Sequence, residues 1–242
     1  MLLDYLLPRY CNHCLDRIKT TIIPHLCPQC ASEIQPTERK CIFCDTEGHF
    51  LCHFCKRLYP YLTDASICCQ YSGPIKQLIK RFKYQLKPYL SETLITLTEQ
   101  YAGQFLQQLP ANTLIIPMPS DRIRVAQRGF NPPALIGKAL AKKYQYLYSD
   151  QILQKRAFSL PQAHLSFDER LDNHHNSFML NKRQYFKFFN KNQSDIESTP
   201  SVLFIDDVIT TGSSFLRAME ILNNPQPKSV YALFIAQSPF EK

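Results

Sequence analysis

No stretch of this 242-residue sequence approaches the roughly 18 apolar residues that a membrane-spanning helix needs. That absence argues against an integral helical membrane protein. The opening MLLDYLLPRYC is apolar but carries Asp4 and Pro8, and it lacks both a basic leading segment and a small-residue cleavage site. It is therefore not read as a signal peptide, and the expected location is the cytosol. Acidic residues are also in short supply, with 20 Asp and Glu against 28 Lys and Arg, a formal net charge of +8. Residues 71–88 contain no acid at all. Such an excess of positive charge suits an anionic partner.

What is present fits a globular protein, with 45% apolar and 20% charged residues. The length allows one substantial core plus a small satellite module. Eight of the ten cysteines form four C-x-x-C pairs: Cys11/Cys14, Cys27/Cys30, Cys41/Cys44 and Cys52/Cys55. A cytosolic compartment keeps thiols reduced, so the pairs read as metal ligands rather than disulfides. Each pair presents two thiolates from one tight knuckle, and two pairs complete a tetrahedral zinc site, so eight ligands imply two zinc ions. Two ribbons in tandem are the simplest arrangement, although joining the first pair to the third and the second to the fourth also satisfies the chemistry. His13, His25, His49 and His53 lie among the pairs and are read as bystanders. Cys68 and Cys69, adjacent in the apolar stretch SICCQY, read as strand core. The expected division is a zinc-ribbon module over residues 1–60 and an α/β domain over 61–242.

After the cysteines, Ile75, Leu78, Ile79, Phe82 and Leu86 repeat at helical spacing, with Lys76, Lys80, Lys83 and Lys87 on a second stripe and Arg81 beside them. This helix can dock by its apolar face and offer positive charge outward, as a DNA contact or as an ordinary solvated face. Residues 91–109 read as another amphipathic helix. TLIIP then reads as a strand ending at Pro117, followed by the turn MPSDRIRVAQRGFNPP and a helix through ALIGKALAKKY. Strands alternating with helices predict a parallel α/β sheet, whose ligands bind at the carboxyl ends of the strands. Further on, Lys182, Arg183, Lys187 and Lys191 alternate with Tyr185, Phe186, Phe188 and Phe189. Basic groups with aromatic faces suit single-stranded nucleic acid, and a half-buried strand entering a loop is the alternative.

The stretch VLFIDDVITTGSS, residues 202–214, places two acids after a buried apolar strand and then a small, hydroxyl-rich turn. The residues from Ser214 to Leu222 have helical periodicity, so the turn delivers backbone N–H groups and a positive dipole end to one spot. Thr210, Thr211, Ser213 and Ser214 add hydroxyl donors, and Gly212 permits close backbone approach. Asp206 and Asp207 would repel a bare phosphate. They make sense beside a ligand that also carries sugar hydroxyls or a metal ion.

This turn resembles the phosphoribosyl pyrophosphate (PRPP) motif of type I phosphoribosyltransferases. The resemblance implies that Asp206 and Asp207 hold ribose hydroxyls, that Thr210, Thr211, Gly212, Ser213 and Ser214 wrap the 5′-phosphate, and that magnesium accompanies the pyrophosphate. The paired C-x-x-C motifs, YSGPIKQLIKRFKY, PMPSDRIRVAQRGFN, PQAHLSFDERLDNHHNSF and the phosphate turn come in an order similar to that of the ComF family, the late-competence proteins of naturally transformable bacteria. The family's P-x-P…R…R-G-F-N block falls on Pro117, Pro119, Arg122, Arg128, Gly129, Phe130 and Asn131, with Ser120 in the same turn. It would offer amides, hydroxyl and arginines to the pyrophosphate. A second block falls on Gln162, Ala163, Leu165, Ser166, Arg170, Asn173 and Phe178, whereas residues 181–200 match no block of the family.

Membership implies a type I phosphoribosyltransferase-like sheet behind a double zinc ribbon, and a part in taking up transforming DNA. Single-stranded DNA is the implied partner, with Lys76, Lys80, Arg81, Lys83, Lys87, Lys182 and Arg183 as candidate contacts. A helicase-like ATPase that accompanies the family is a second candidate partner, which the ribbons could engage as an adaptor. The resemblance names no acceptor for a transferred ribosyl group. No general base is evident, although Glu169, His174 and His175 are available, so a base-salvage or base-modifying enzyme stands as an alternative.

Overall fold

Val202–Ile209 and Val230–Gln237 are apolar along almost their whole length and buried along it, as strands covered on both faces must be. In the computed structural model, which describes residues 8–44, 46–155, 178–189, 199–222 and 227–238, they are β6 and β7, neighbours in a five-stranded sheet. The other strands are β1 (Leu62–Gln70), β2 (Leu114–Pro117) and β3 (Leu147–Tyr148), and the order across the sheet is β1-β7-β6-β2-β3. Every pairing is parallel. The α/β architecture expected from the alternation of strands and helices is thus the one observed. A small antiparallel pair, β4 (Leu153–Lys155) with β5 (Phe178–Leu180), lies outside this sheet.

Helices α3 (Gly73–Tyr84), α4 (Leu90–Gln107) and α6 (Pro132–Tyr144) connect and cover the strands. In α3 the residues Ile75, Leu78, Ile79 and Phe82 are fully buried, as their spacing predicts. Pro132 and Pro133 occupy the first turn of α6, where a missing N–H costs nothing. The segment read from sequence as a turn after β2 contains a short helix, α5 (Arg122–Arg128), which Asp121 caps by accepting the Ile123 N–H at 2.9 Å. The basic-aromatic segment does not form the half-buried strand considered for it. Lys182–Phe189 is a helix, α7, because Tyr185 and Phe189 fall one turn apart and stack at 4.2 Å.

The cysteine-rich region repeats one local design twice. Antiparallel bridges, Tyr10 with Arg17 and Lys40 with Glu47, flank the first knuckle of each ribbon. The third cysteine of each ribbon, Cys27 or Cys52, caps a short helix, α1 (Pro28–Ser32) or α2 (His53–Leu58), by accepting the N–H three residues on. Apolar residues of the first ribbon, including Ile18, Leu26 and Ile34, join a core with α3, α4 and one face of the sheet through Leu203 and Ile205. Those of the second, including Ile42 and Leu51, join Phe204, Phe215 and Phe234 on the other face. Between the ribbons the chain crosses the outer edge of β1, where Thr37 N–H donates to Cys68 O at 3.2 Å and Gln70 N–H donates to Gln35 O at 3.0 Å. Helix α8 (Ser213–Ile221) comes after β6 on that second face, with Phe215 and Ala218 buried.

Candidate functional site

The two middle strands β6 and β2 run side by side, with Ile205 opposite Pro117, so the segments leaving their carboxyl ends meet at one end of the sheet. Met118 N–H donates to Ile205 O at 2.9 Å and brings the Met118–Asp121 turn alongside Asp206 and Asp207. Asn131 fixes this turn from behind. Its Oδ1 accepts from the Ser120 hydroxyl at 2.6 Å and its Nδ2 donates to Met118 O at 3.0 Å. Gly129, left-handed at φ 79°, reverses the chain between α5 and Asn131, which accounts for the R-G-F-N string in structural terms.

A cleft of about 220 Å³ opens here, lined among others by Ser120, Asp121, Asp206, Asp207 and Ser214. Lys83, Arg124, Arg128 and Lys155 supply positive charge to the same walls. The Arg128 guanidinium lies over the Tyr84 ring, 4.9 Å from its centroid. Lys83 reaches in from α3 and pairs with Asp207 at 2.6 Å. Burial opposes the charge on Lys83, yet the Asp207 carboxylate outweighs it and holds the ammonium above its ordinary range. Asp206 experiences the opposite balance. Burial, joined by the neighbouring Asp207 charge, pushes its carboxyl up to about 7 against the smaller pull of Lys83, the Asp207 N–H and Lys155. Asp206 is therefore poised near neutrality beside the Lys83–Asp207 ion pair.

The hydroxyl-rich turn closes one side of the cleft at Ser214. Gly212 is the N-cap of α8 at φ 72° and brings no side chain of its own; Ser213 N–H donates weakly to Thr211 Oγ1 at 3.5 Å, which leaves the next amides at the positive end of α8 to meet an anion. Thr210, Thr211, Ser213 and Ser214 are exposed, with the Thr211 and Ser213 hydroxyls 3.1 Å apart. The strand itself runs on through Ile209, because Asp206, Val208 and Ile209 still pair with β7, so the acids sit within its last pleats rather than beyond its end.

Sequence reasoning placed Arg122 in this site, but the Arg122 guanidinium meets Gln154 Oε1 at 3.4 Å and is absent from the cleft lining, where Arg124 stands instead. Arg124 and Arg128 are four residues apart and share a face of α5, a helical-phase signal that the turn reading of this segment overlooked. Tyr84 and Lys155 were missed as well, and no local pattern marks Lys155, which arrives from β4. The stripe on α3 divides. Lys76 and Lys80 are exposed, Arg81 is half-buried, Lys83 enters the cleft, and Lys87 reaches Asn12 Oδ1 of the first ribbon at 3.4 Å. On α7, Lys182, Arg183, Phe186 and Lys187 are exposed or nearly so, while Tyr185 is fully buried and donates its hydroxyl to Leu222 O at 3.2 Å. Glu169, His174, His175 and the block from Gln162 to Asn173 lie outside the described residues, as does Lys191.

The eight paired cysteines gather into two sets, Cys11, Cys14, Cys27 and Cys30, and Cys41, Cys44, Cys52 and Cys55, with the sulfurs of each set within 4.8 Å of one another. This resolves the two pairings left open by sequence in favour of consecutive ribbons. Cys14 and Cys27 sulfurs are 3.7 Å apart, and those of Cys44 and Cys52 are 3.5 Å apart. A tetrahedral ion with bonds of about 2.3 Å requires sulfurs about 3.8 Å apart, so each set can hold a zinc ion. Backbone N–H groups of Cys30 and Cys55 approach the Cys27 and Cys52 sulfurs, each at 3.4 Å, and would stabilise thiolate charge.

Competence protein F of Haemophilus influenzae is 28% identical to this chain over 214 residues, which make up 88% of this chain and 83% of that protein. The chain is thus similar to a ComF-family competence protein over most of its length. No family profile matches it. Adenine phosphoribosyltransferase of Saccharomyces cerevisiae, solved with an imino-altritol bisphosphate and adenine, shares 16% identity over 62% of this chain and 71% of that one, with a TM-score of 0.36. The adenine phosphoribosyltransferase of Thermoanaerobacter pseudethanolicus shares 13% over 68% of this chain and 84% of that one, with a TM-score of 0.32. Among the described residues, no helix is long and apolar enough to cross a membrane.

Proposed function

We propose that this ComF-family protein binds PRPP in the cleft between β2 and β6 and handles incoming single-stranded DNA during natural transformation. The observation that carries the first half is the meeting of an acid pair, four basic side chains and the N-terminal turn of α8 in one cleft. A phosphosugar diphosphate presents hydroxyls and two kinds of phosphate within a few ångströms, and this donor set complements all three. Asp206 and Asp207 would accept the ribose hydroxyls, the Thr210–Ser214 turn would take the 5′-phosphate, and Ser120, Arg124 and Arg128 would face the pyrophosphate. Carboxylate oxygens of Asp121, Asp206 and Asp207 suit magnesium arriving with that pyrophosphate.

Transfer would proceed as a nitrogen nucleophile forms a bond to the anomeric carbon while the carbon–pyrophosphate bond breaks and pyrophosphate departs with its electron pair. Arg124, Arg128 and Lys83 would stabilise the charge that grows on the leaving group. The second half of the proposal rests on the exposed basic surface. Lys76 and Lys80 lie on α3, the helix that also sends Lys83 into the cleft, and α7 offers Lys182, Arg183 and Lys187 beside the exposed Phe186 ring.

Calorimetry with PRPP, and a screen of pyrophosphate release with bases, nucleotides and single-stranded DNA as acceptors, test the reading. Asp206→Asn with Asp207→Asn should weaken PRPP at least tenfold, since each charge-assisted bond contributes about 1.5–3 kcal/mol. Cells carrying this double variant should lose transformation and keep normal growth. Undiminished PRPP binding in the double variant would overturn the assignment of the acids, and a purine- or pyrimidine-dependent growth defect with normal transformation would establish the salvage enzyme instead. A requirement for a helicase-like ATPase in pull-downs through the ribbons would add the adaptor role.

A further inference from the structure

The second ribbon does more than pack under the sheet. Its first knuckle, Cys41-Ile42-Phe43-Cys44, turns Ile42 fully inward and leaves Phe43 half-buried. The Phe43 ring lies against Gly212, the residue that caps α8 at the centre of the phosphate turn. A Cβ placed on Gly212 would stand 3.3 Å from Phe43 Cε1 and 3.5 Å from Cδ1, with Ile209 Cδ1 next at 3.7 Å. The Tyr59 ring, from the residue just after α2, supports Phe43 from its own side at a centroid separation of 4.5 Å. A side chain held between two members of a four-cysteine set, and braced by a second ring, thus abuts the glycine that must hold φ 72° for the turn to form.

We infer that Phe43 is a positioning residue for the phosphate turn, so that the second ribbon is a structural part of the phosphosugar site. The need for such support is physical. Thr210, Thr211, Ser213 and Ser214 are exposed, and the side-chain bonds within the turn are those between Thr211 and Ser213. An anion site built from backbone amides works only when those amides are held in place before the ligand arrives. A turn with exposed side chains and a left-handed glycine loses that order unless something rigid packs behind it. A zinc-fixed knuckle is rigid, and its aromatic ring fills the space that glycine leaves open. The inference rests on the reading of the cleft as a phosphosugar site, and its test separates the two.

The test compares Phe43→Ala, Phe43→Leu and the control Ile42→Val in the full-length protein. Metal analysis, amide hydrogen exchange over residues 209–216 and PRPP calorimetry are read together. Phe43→Ala should retain the wild-type zinc content, speed exchange across the turn and weaken PRPP about tenfold, the scale expected when a binding group is misplaced by less than an ångström. Phe43→Leu, which keeps apolar bulk against Gly212, should recover most of both. Ile42→Val lowers thermal stability without touching Gly212, so turn exchange and PRPP affinity should stay at wild-type values. Wild-type turn exchange and affinity in Phe43→Ala would overturn the inference, as would equal losses in Ile42→Val. If wild-type protein binds no PRPP while Phe43→Ala still loosens the turn, the ligand assignment falls and the positioning role stands.

Discussion

At the residue scale, the central feature is the unequal treatment of two adjacent acids. Lys83 pairs with the buried Asp207, and the carboxyl of Asp206 is raised by desolvation and by the like charge beside it. Its carboxyl rises from an ordinary 3.8 to about 7, so the folded protein holds this proton more tightly than the unfolded chain does. The resulting contribution to stability is fully present below about pH 4 and is lost as pH rises through 7. Asp206→Asn removes the titration, so the variant should match wild type near pH 4 and unfold at a higher temperature near pH 8. The gap should be on the order of 10 °C, at roughly 2–4 °C per kcal/mol for a chain of this size. Thermal melts at both pH values check this, and an equal shift at the two would show that Asp206 carries its charge throughout. The acids were legible in the sequence because strand, carboxylates and glycine turn are contiguous. Lys83 was read as an outward DNA contact, since a helix pattern distinguishes a basic face from an apolar one but does not say which basic residue lies beside a distant strand.

At the scale of elements, every long periodic segment formed what its pattern dictates, and the differences fall where a pattern is short. Helix α5 has seven residues, none of them buried, so hydrophobic periodicity had nothing to register. Its phase decides which arginines face the cleft. Helix α7 was obscured by aromatic residues on several sides. Burial of Tyr185, stacking of Phe189 on it and packing of Phe188 against the core consume three of its rings, leaving Phe186 among three cations. The surface proposed for a single strand is therefore smaller than the composition of residues 181–191 suggests, and it comes down to Lys182, Arg183, Phe186 and Lys187. Reversing Lys182, Arg183 and Lys187 to Glu should lower single-stranded DNA affinity more than tenfold at low salt and flatten the dependence of affinity on salt, because fewer counterions are released. Replacing Lys76 and Lys80 in the same way isolates the α3 contribution. Anisotropy titrations at several salt concentrations measure both, and unchanged slopes would return either helix to an ordinary solvated face.

At the scale of the whole molecule, the two ribbons clasp the sheet from opposite faces while the chain between them pairs along its β1 edge. The sequence indicates a separate cysteine-rich module because ligand spacing is local. It contains no signal for the packing, since residues such as Leu26 and Ile42 look the same whether they line a small private core or a shared one. A shared core predicts an asymmetric response to metal loss. Cys11→Ser with Cys14→Ser removes two thiolates from the first set, so the protein should carry one zinc per chain instead of two. The released ribbon uncovers α3 and α4, where each buried Leu or Ile owes about 1.5–3 kcal/mol to its covering. Amide exchange should therefore accelerate in α3 and α4 and remain slow in α8. Cys52→Ser with Cys55→Ser should produce the mirror result, with faster exchange in α8 and the Thr210–Ser214 turn and protection retained in α4. Exchange changes confined to residues before 60 in both variants would show instead that the ribbons fold and unfold as an independent module, each core stopping short of the sheet.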